Sequence, residues 1–143
     1  MMYLLGLKDD YQHDGRVILE MVDPNTLSST LHAHSDTLLQ LGQMYKQINA
    51  PFGALAQSTL TVSDFAMQSN SDGDVVYNAL ESKIASWTTQ RDALAAQIKM
   101  MLEGAEFSGL AINEQQAKQL ISAGQTLLNQ ASACAANPGS CGS

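Results

Sequence analysis

The sequence predicts a mainly α-helical protein. Three or four helices should pack as an antiparallel bundle or a long αα-hairpin, behind a short strand-or-loop segment at the N-terminus. Three observations carry this expectation. Leu, Ala, Gln and Met dominate the 143 residues, and the chain holds only one Trp, four Tyr and three Phe, a composition that favours helix over strand. Apolar residues recur at seven-residue spacing in two long stretches, around Leu31–Ile48 and Leu80–Met101, which is helical periodicity. Pro51, the run SNSDGD (69–74) and Asn137-Pro138-Gly139 punctuate those stretches as chain breakers do.

Composition also bounds function. Hydrophobic residues make up 45% of the chain, enough for a core, while charged residues are only 15% and the net charge is −7. So acidic a chain, with 7 Lys and Arg, would repel a phosphate backbone, which argues against nucleic-acid binding. No apolar run approaches the roughly 18 to 20 residues of a membrane-spanning helix. MMYLLGLKDD has no basic leading region, and its apolar run is too short for a signal peptide. If a larger parent protein is exported, its signal is expected to lie outside this chain, and the location would then be periplasmic or secreted.

The elements read in order as follows. Residues 1–27 form a small unit: MMYLL is a short buried strand or the end of a helix, GLKDDYQHDG is polar and turn-rich, and RVILEMV is a plausible strand. Residues 28–136 form a helical domain. Ser28 or Ser29 caps a first helix on which Leu31, Leu38 and Tyr45 share a face with His34, Leu41 and Ile48, and Pro51 ends it. Phe52, Leu55, Ala56, Leu60, Val62, Phe65, Ala66 and Met67 suggest a second helix, although Ser and Thr in STLTVS can divert backbone hydrogen bonds. The longest helix is expected from about Asp74 to Glu103, on the order of 45 Å long. Its Leu80, Trp87, Leu94 and Met101 repeat at seven, with Ile84, Arg91 and Ile98 between them, a coiled-coil-like seam. These seven residues are the candidate interface. GAEFSGLAI (104–112) reads as a loop, and Asn113 caps a last helix with Glu114 in its first turn, where the helix dipole favours an acid. Leu120, Gly124, Leu127, Ala131 and Cys134 form its buried stripe, and its small residues would allow close approach to Trp87. Residues 137–143 are expected to be a flexible tail.

Each candidate site has a plainer reading. NSDGD suggests a calcium loop, but placing Gly73 sixth puts Gln68 first and Ala79 twelfth, so the end ligands are missing. Ser71 or Asp72 as a cap for the long helix, with Asp74 in its first turn, explains the run better. His32 and His34 are two apart on a helix and point in different directions. A buried, hydrogen-bonded His34 is the expectation. Arg91 could pair with Asp36 or Glu114. The methionines are core filler. Cys134 and Cys141 are separated by AANPGS, and both a small disulfide loop and two free thiols fit that spacing. No Gly-x-Ser-x-Gly, phosphate-binding loop, HExxH or dinucleotide fingerprint occurs, so no catalytic residue is assigned in the helices. His13 and Asp14, with Asp9 and Asp10 nearby, remain the weak metal candidates. One histidine among acids is a poor set for a catalytic zinc.

The stretch Leu4, Leu5, Gly6, Leu7, a polar loop, and then Asp14, Gly15, Arg16, Val17 and Ile18 resembles a place in the alkaline phosphatase/sulfatase superfamily. Those metal-dependent hydrolases commonly close their catalytic core with such a segment. LGQMYKQINAPFG (41–53) and TTQRDALAAQI (88–98) are similar to a helical C-terminal extension on some bacterial members. The resemblance implies that the nucleophile and the metal ligands lie upstream, so His13 and Asp14 match no family ligand. It further implies that this chain is a non-catalytic C-terminal helical region of a phosphoric-ester hydrolase. The divalent metal, zinc or similar, would belong to the parent, with no cofactor in this chain. The partner would be an upstream catalytic domain or another copy of the chain. The alternative is a stand-alone helical protein that dimerises through the heptad seam.

Overall fold

The computed structural model describes Asp23, residues 29–70 and residues 72–141. These residues are mainly α-helical, and no strand occurs among them. The elements are α1 (Ser29–Ala33), α2 (Ser35–Asn49), α3 (Ala54–Gln68), a 3-10 turn at Asp72–Asp74, α4 (Val75–Phe107), α5 (Glu114–Ala136) and α6 (Pro138–Cys141). The stretch 1–22, and with it the candidates Asp9, Asp10, His13 and Asp14, lies outside the described residues.

Four anchoring contacts set the directions of the helices. At one end Glu114, in the first turn of α5, meets His34 and Thr37 at the start of α2. Farther along, Gly124 of α5 faces Met44 of α2, so α2 and α5 run the same way. At the other end Gly139 approaches the ring of Phe65 near the end of α3, with 3.7 Å from a Gly139 Cβ position to Cζ. The arm formed by α2 and α3 thus climbs the whole length of α5. α4 runs back down beside both: Lys83 near its start donates to the Cys141 carbonyl at 3.2 Å, and its end leads into α5. Three arms alternate in direction, which is the antiparallel bundle that short connections produce.

Pro51 divides the first arm. Ala50 before it is extended (φ −72, ψ 144), as a residue before proline prefers. Gly53 then tucks under the end of α2, where a Cβ would lie 2.6 Å from the Lys46 carbonyl and 2.7 Å from that of Gln47. Only glycine fits there without moving backbone.

The core is contributed by every long helix. Leu41 and Ile48 of α2, Val62 of α3, Leu80 and Ile98 of α4 and Leu127 of α5 are its largest fully enclosed side chains. Each large aliphatic group buried in this way contributes about 1.5–3 kcal/mol. The apolar stripe of α5 (Leu120, Gly124, Leu127, Ala131 and Cys134) is buried together with Ala117. Its close neighbour at Gly124 is Met44, not Trp87. On α3 only Leu55, Val62 and Ala66 are buried, while Leu60, Phe65 and Met67, and Phe52 just before the helix, are exposed.

Two boundaries differ from expectation. α4 continues to Phe107 because Gly104 is covered: the Leu110 amide donates to the Gly104 carbonyl at 3.0 Å and closes the helix end. At its start the N-cap is Asp74, in the left-handed region (φ 55) after Gly73 (φ 66), with no side-chain capping bond. The 3-10 turn at Asp72–Asp74 delivers the chain to the helix in place of the expected Asp72 cap, and Ser71, the other expected cap, lies outside the described residues.

Candidate functional site

The first helical run breaks at His34, which leaves the helical conformation (φ −124, ψ 26) between α1 and α2. Its ring Nδ1 lies 2.7 Å from Glu114 Oε1. On the same carboxylate the Thr37 hydroxyl donates to Oε2 at 2.7 Å. Asn113 sits just before Glu114 as the N-cap of α5, and its Oδ1 accepts from the Gln116 amide at 3.0 Å. This end of the bundle therefore gathers an imidazole, a hydroxyl and a carboxylate beside a helix N-terminus.

The electrostatics are those of a clasp. The Thr37 hydroxyl bond first, and the His34 ring bond second, hold the Glu114 carboxyl below its ordinary value, against a smaller opposing effect of burial. A hydrogen-bonded nucleophile needs its base within reach. Here the Thr37 hydroxyl is directed at the carboxylate, not at the imidazole. Glu114 accepts from both neighbours, so the three groups tie α2 to α5 and do not form a relay toward a substrate.

His34 is half-buried, with a quarter of its side chain exposed. The expected hydrogen bond is present and the expected full burial is not, because the ring must reach the rim to meet Glu114. His32 is exposed and takes no part. Arg91 pairs with its own neighbour Asp92 at 2.8 Å, whereas the sequence reading offered Asp36 or Glu114. Glu114 is taken by His34 and Thr37. Thr37 was absent from the sequence reading. A threonine on a helix gives no sign of a partner 77 residues away.

The heptad seam of α4 lies against the chain's own helices. Leu80, Trp87 and Ile98 are buried, and Ile84, Leu94 and Met101 pack against the same core. Arg91 is half-buried at its edge. Cys134 and Cys141 form a disulfide with a Cα–Cα distance of 5.3 Å, which resolves the alternative left open by their spacing. The bond folds α6 back along the end of α5.

Two depressions run along α5, one lined by Glu114, Lys118, Ser122 and Thr126, the other by Leu94, Gln97, Asn113 and Gln116. Both are open to solvent. Among the described residues, no group of three or more His, Cys, Asp or Glu side chains is placed to hold a metal ion. The described residues therefore offer no ligand set for the divalent metal that the resemblance implies for a parent enzyme. No described helix is long and apolar enough to cross a membrane. No family model, curated protein or solved structure matches this chain.

Proposed function

We propose that this chain is the non-catalytic C-terminal helical region of a metal-dependent hydrolase resembling the alkaline phosphatase/sulfatase superfamily, with a structural, capping or oligomerisation role. The observation that carries the reading is how the bundle uses its reactive groups. His34, Thr37 and Glu114 are joined to one another, Arg91 to Asp92, and Cys134 to Cys141. Each is engaged in holding helices or neighbours rather than aimed into a cavity. The resemblance of Leu4–Ile18 to a core-closing segment supplies the kind of parent. Phosphoric-ester hydrolysis and the divalent metal belong to that upstream core.

The disulfide supports an oxidising location, periplasmic or secreted, because such bonds persist outside the reducing cytosol. The enclosed seam of α4 favours the appended role over a stand-alone dimer built on Leu80, Trp87 and Ile98, since those side chains are already covered. The reading frame upstream of Met1 tests the proposal. An in-frame metal-binding core supports it, and a promoter directly before Met1 contradicts it. A phosphatase assay of the purified chain with added zinc or manganese adds a second test. Turnover that disappears in His13→Ala would overturn the non-catalytic assignment.

A further inference from the structure

The chain leaves α5 at Asn137, whose backbone departs from the helix (φ −146, ψ 72). Pro138 follows and has no N–H with which to continue the ladder. α6 (Pro138–Cys141) then lies against both α5 and α3. It is four residues long and contributes no buried residue. A helix that short is not stable by itself, so its position depends on what fastens it. Its contacts reach two other arms. The exposed Lys83 Nζ of α4 donates to the Cys141 carbonyl at 3.2 Å, and Gly139 sits beside the Phe65 ring of α3. The covalent fastening is the bond from Cys141 back to Cys134 of α5.

The two sulfurs differ in access. Cys134 is 4% exposed, whereas Cys141 is only half-buried. Thiol–disulfide exchange depends on which sulfur the attacking thiolate reaches, and here that is Cys141. The large enclosed side chains Leu41, Val62, Leu80, Ile98 and Leu127 all belong to α2–α5, so the core does not depend on α6.

We propose that α6 is a redox-sensitive strap. The Cys134–Cys141 bond holds it across the ends of α3 and α5, and reduction by a dithiol releases it to swing about Asn137 and Pro138 while the bundle stays folded. A thiolate of the dithiol attacks Sγ of Cys141, the Cys134–Cys141 bond breaks, and Cys134 leaves as a thiolate that takes up a proton. The second thiolate of the reductant then attacks its own sulfur in the mixed disulfide and releases Cys141, which is protonated in turn. The two cysteines end as thiols and the dithiol as an internal disulfide. Release bares Cys134 and the side of the Phe65 ring that Gly139 covers. The inference uses only this chain and stands apart from the identity of any upstream domain.

Nuclear magnetic resonance of the full, 15N-labelled chain tests it, with and without dithiothreitol as the dithiol. Backbone order parameters of Gly139, Ser140 and Cys141 should fall from about 0.85 to below about 0.6 on reduction. Amide shifts should change near Phe65, Lys83 and Cys134, while those of Leu41, Ile98 and Leu120 and the emission of Trp87 stay in place. Cys141→Ser should show the same mobility with no reductant present. Order parameters that stay high in the reduced chain or in Cys141→Ser would overturn the proposal, because other contacts would then hold α6. Shift changes spread through Leu41, Ile98 and Leu120 would also overturn it, because the disulfide would then support the whole bundle and not a strap.

Discussion

His34 Nδ1 and Glu114 Oε1 stand 2.7 Å apart across 80 residues of chain. The contact joins the corner between α1 and α2 to the first turn of α5. It also places the carboxylate at a helix N-terminus, where the dipole favours negative charge. One pair thus fixes the relative height of two helices that are not neighbours in sequence.

The clasp should register in the pH dependence of stability. The Thr37 and His34 bonds lower the folded Glu114 pKa below its ordinary 4.5. A lowered carboxylate contributes stability that is fully present above the unfolded value and is lost as pH falls through the folded value. The melting temperature of Glu114→Gln should therefore fall below that of the parent chain at neutral pH. The difference should shrink as pH falls from the ordinary 4.5 toward the lowered folded value, where the carboxyl of the folded chain protonates in turn. A difference that stays constant with pH would show that the carboxylate charge is not what matters.

Three glycines should respond to alanine in different directions. Gly42 lies inside α2 with nothing within 4 Å of a Cβ position, so Gly42→Ala should stabilise by about 1 kcal/mol through helix propensity. Gly53 faces the carbonyls of Lys46 and Gln47, so Gly53→Ala should destabilise by about 1–3 kcal/mol as the junction is forced open. At Gly124 a Cβ would meet Met44 Cγ at 2.8 Å. Gly124→Ala and Met44→Ala should couple, and the double variant should cost at least about 0.5 kcal/mol less than the sum of the two. Urea titration of these five variants, the double one included, reads all of these effects.

The disulfide closes a short loop, with a sequence separation of 7. Loops of that size contribute about 2–3 kcal/mol by restricting the unfolded chain. Cys141→Ser should lower the urea midpoint accordingly, and reduction of the parent chain should bring it to the same value. Cys141 is the better site to change, because Cys134 is buried in the α5 stripe.

Trp87, the sole tryptophan, is 3% exposed. Its emission should lie to the blue of free tryptophan and shift red in one cooperative step on unfolding. Trp87→Phe should be tolerated far better than Trp87→Ala, for which a loss of about 3–5 kcal/mol is expected.

Local signals were legible in the residues, and long-range ones were not. Pro51 marked the end of α2, Asn113 the cap of α5, and the spacing of Leu120, Leu127 and Cys134 the buried side of α5, because each is written within a few neighbouring positions. STLTVS lowered the expectation of helix in α3, yet the Thr59 and Thr61 hydroxyls donate back to the Ala56 and Gln57 carbonyls of the same helix. Those hydroxyls leave the helix intact. Gly104 read as a breaker because its cover, Leu110, comes from the following loop. The partner of His34 was missed for the same reason, whereas Arg91 pairs with its own neighbour Asp92. A side chain's ionic partner depends on the relative height of two helices, and periodicity within one helix does not encode that height.

The most direct measurement is peptide mapping of the native polypeptide that carries this bundle, isolated from its source with antibodies raised against residues 29–141. If the bundle is the helical region of a hydrolase, the polypeptide will exceed 143 residues. Its additional peptides will then contain a metal-binding catalytic core N-terminal to Met1. A native polypeptide of only these 143 residues would contradict that assignment.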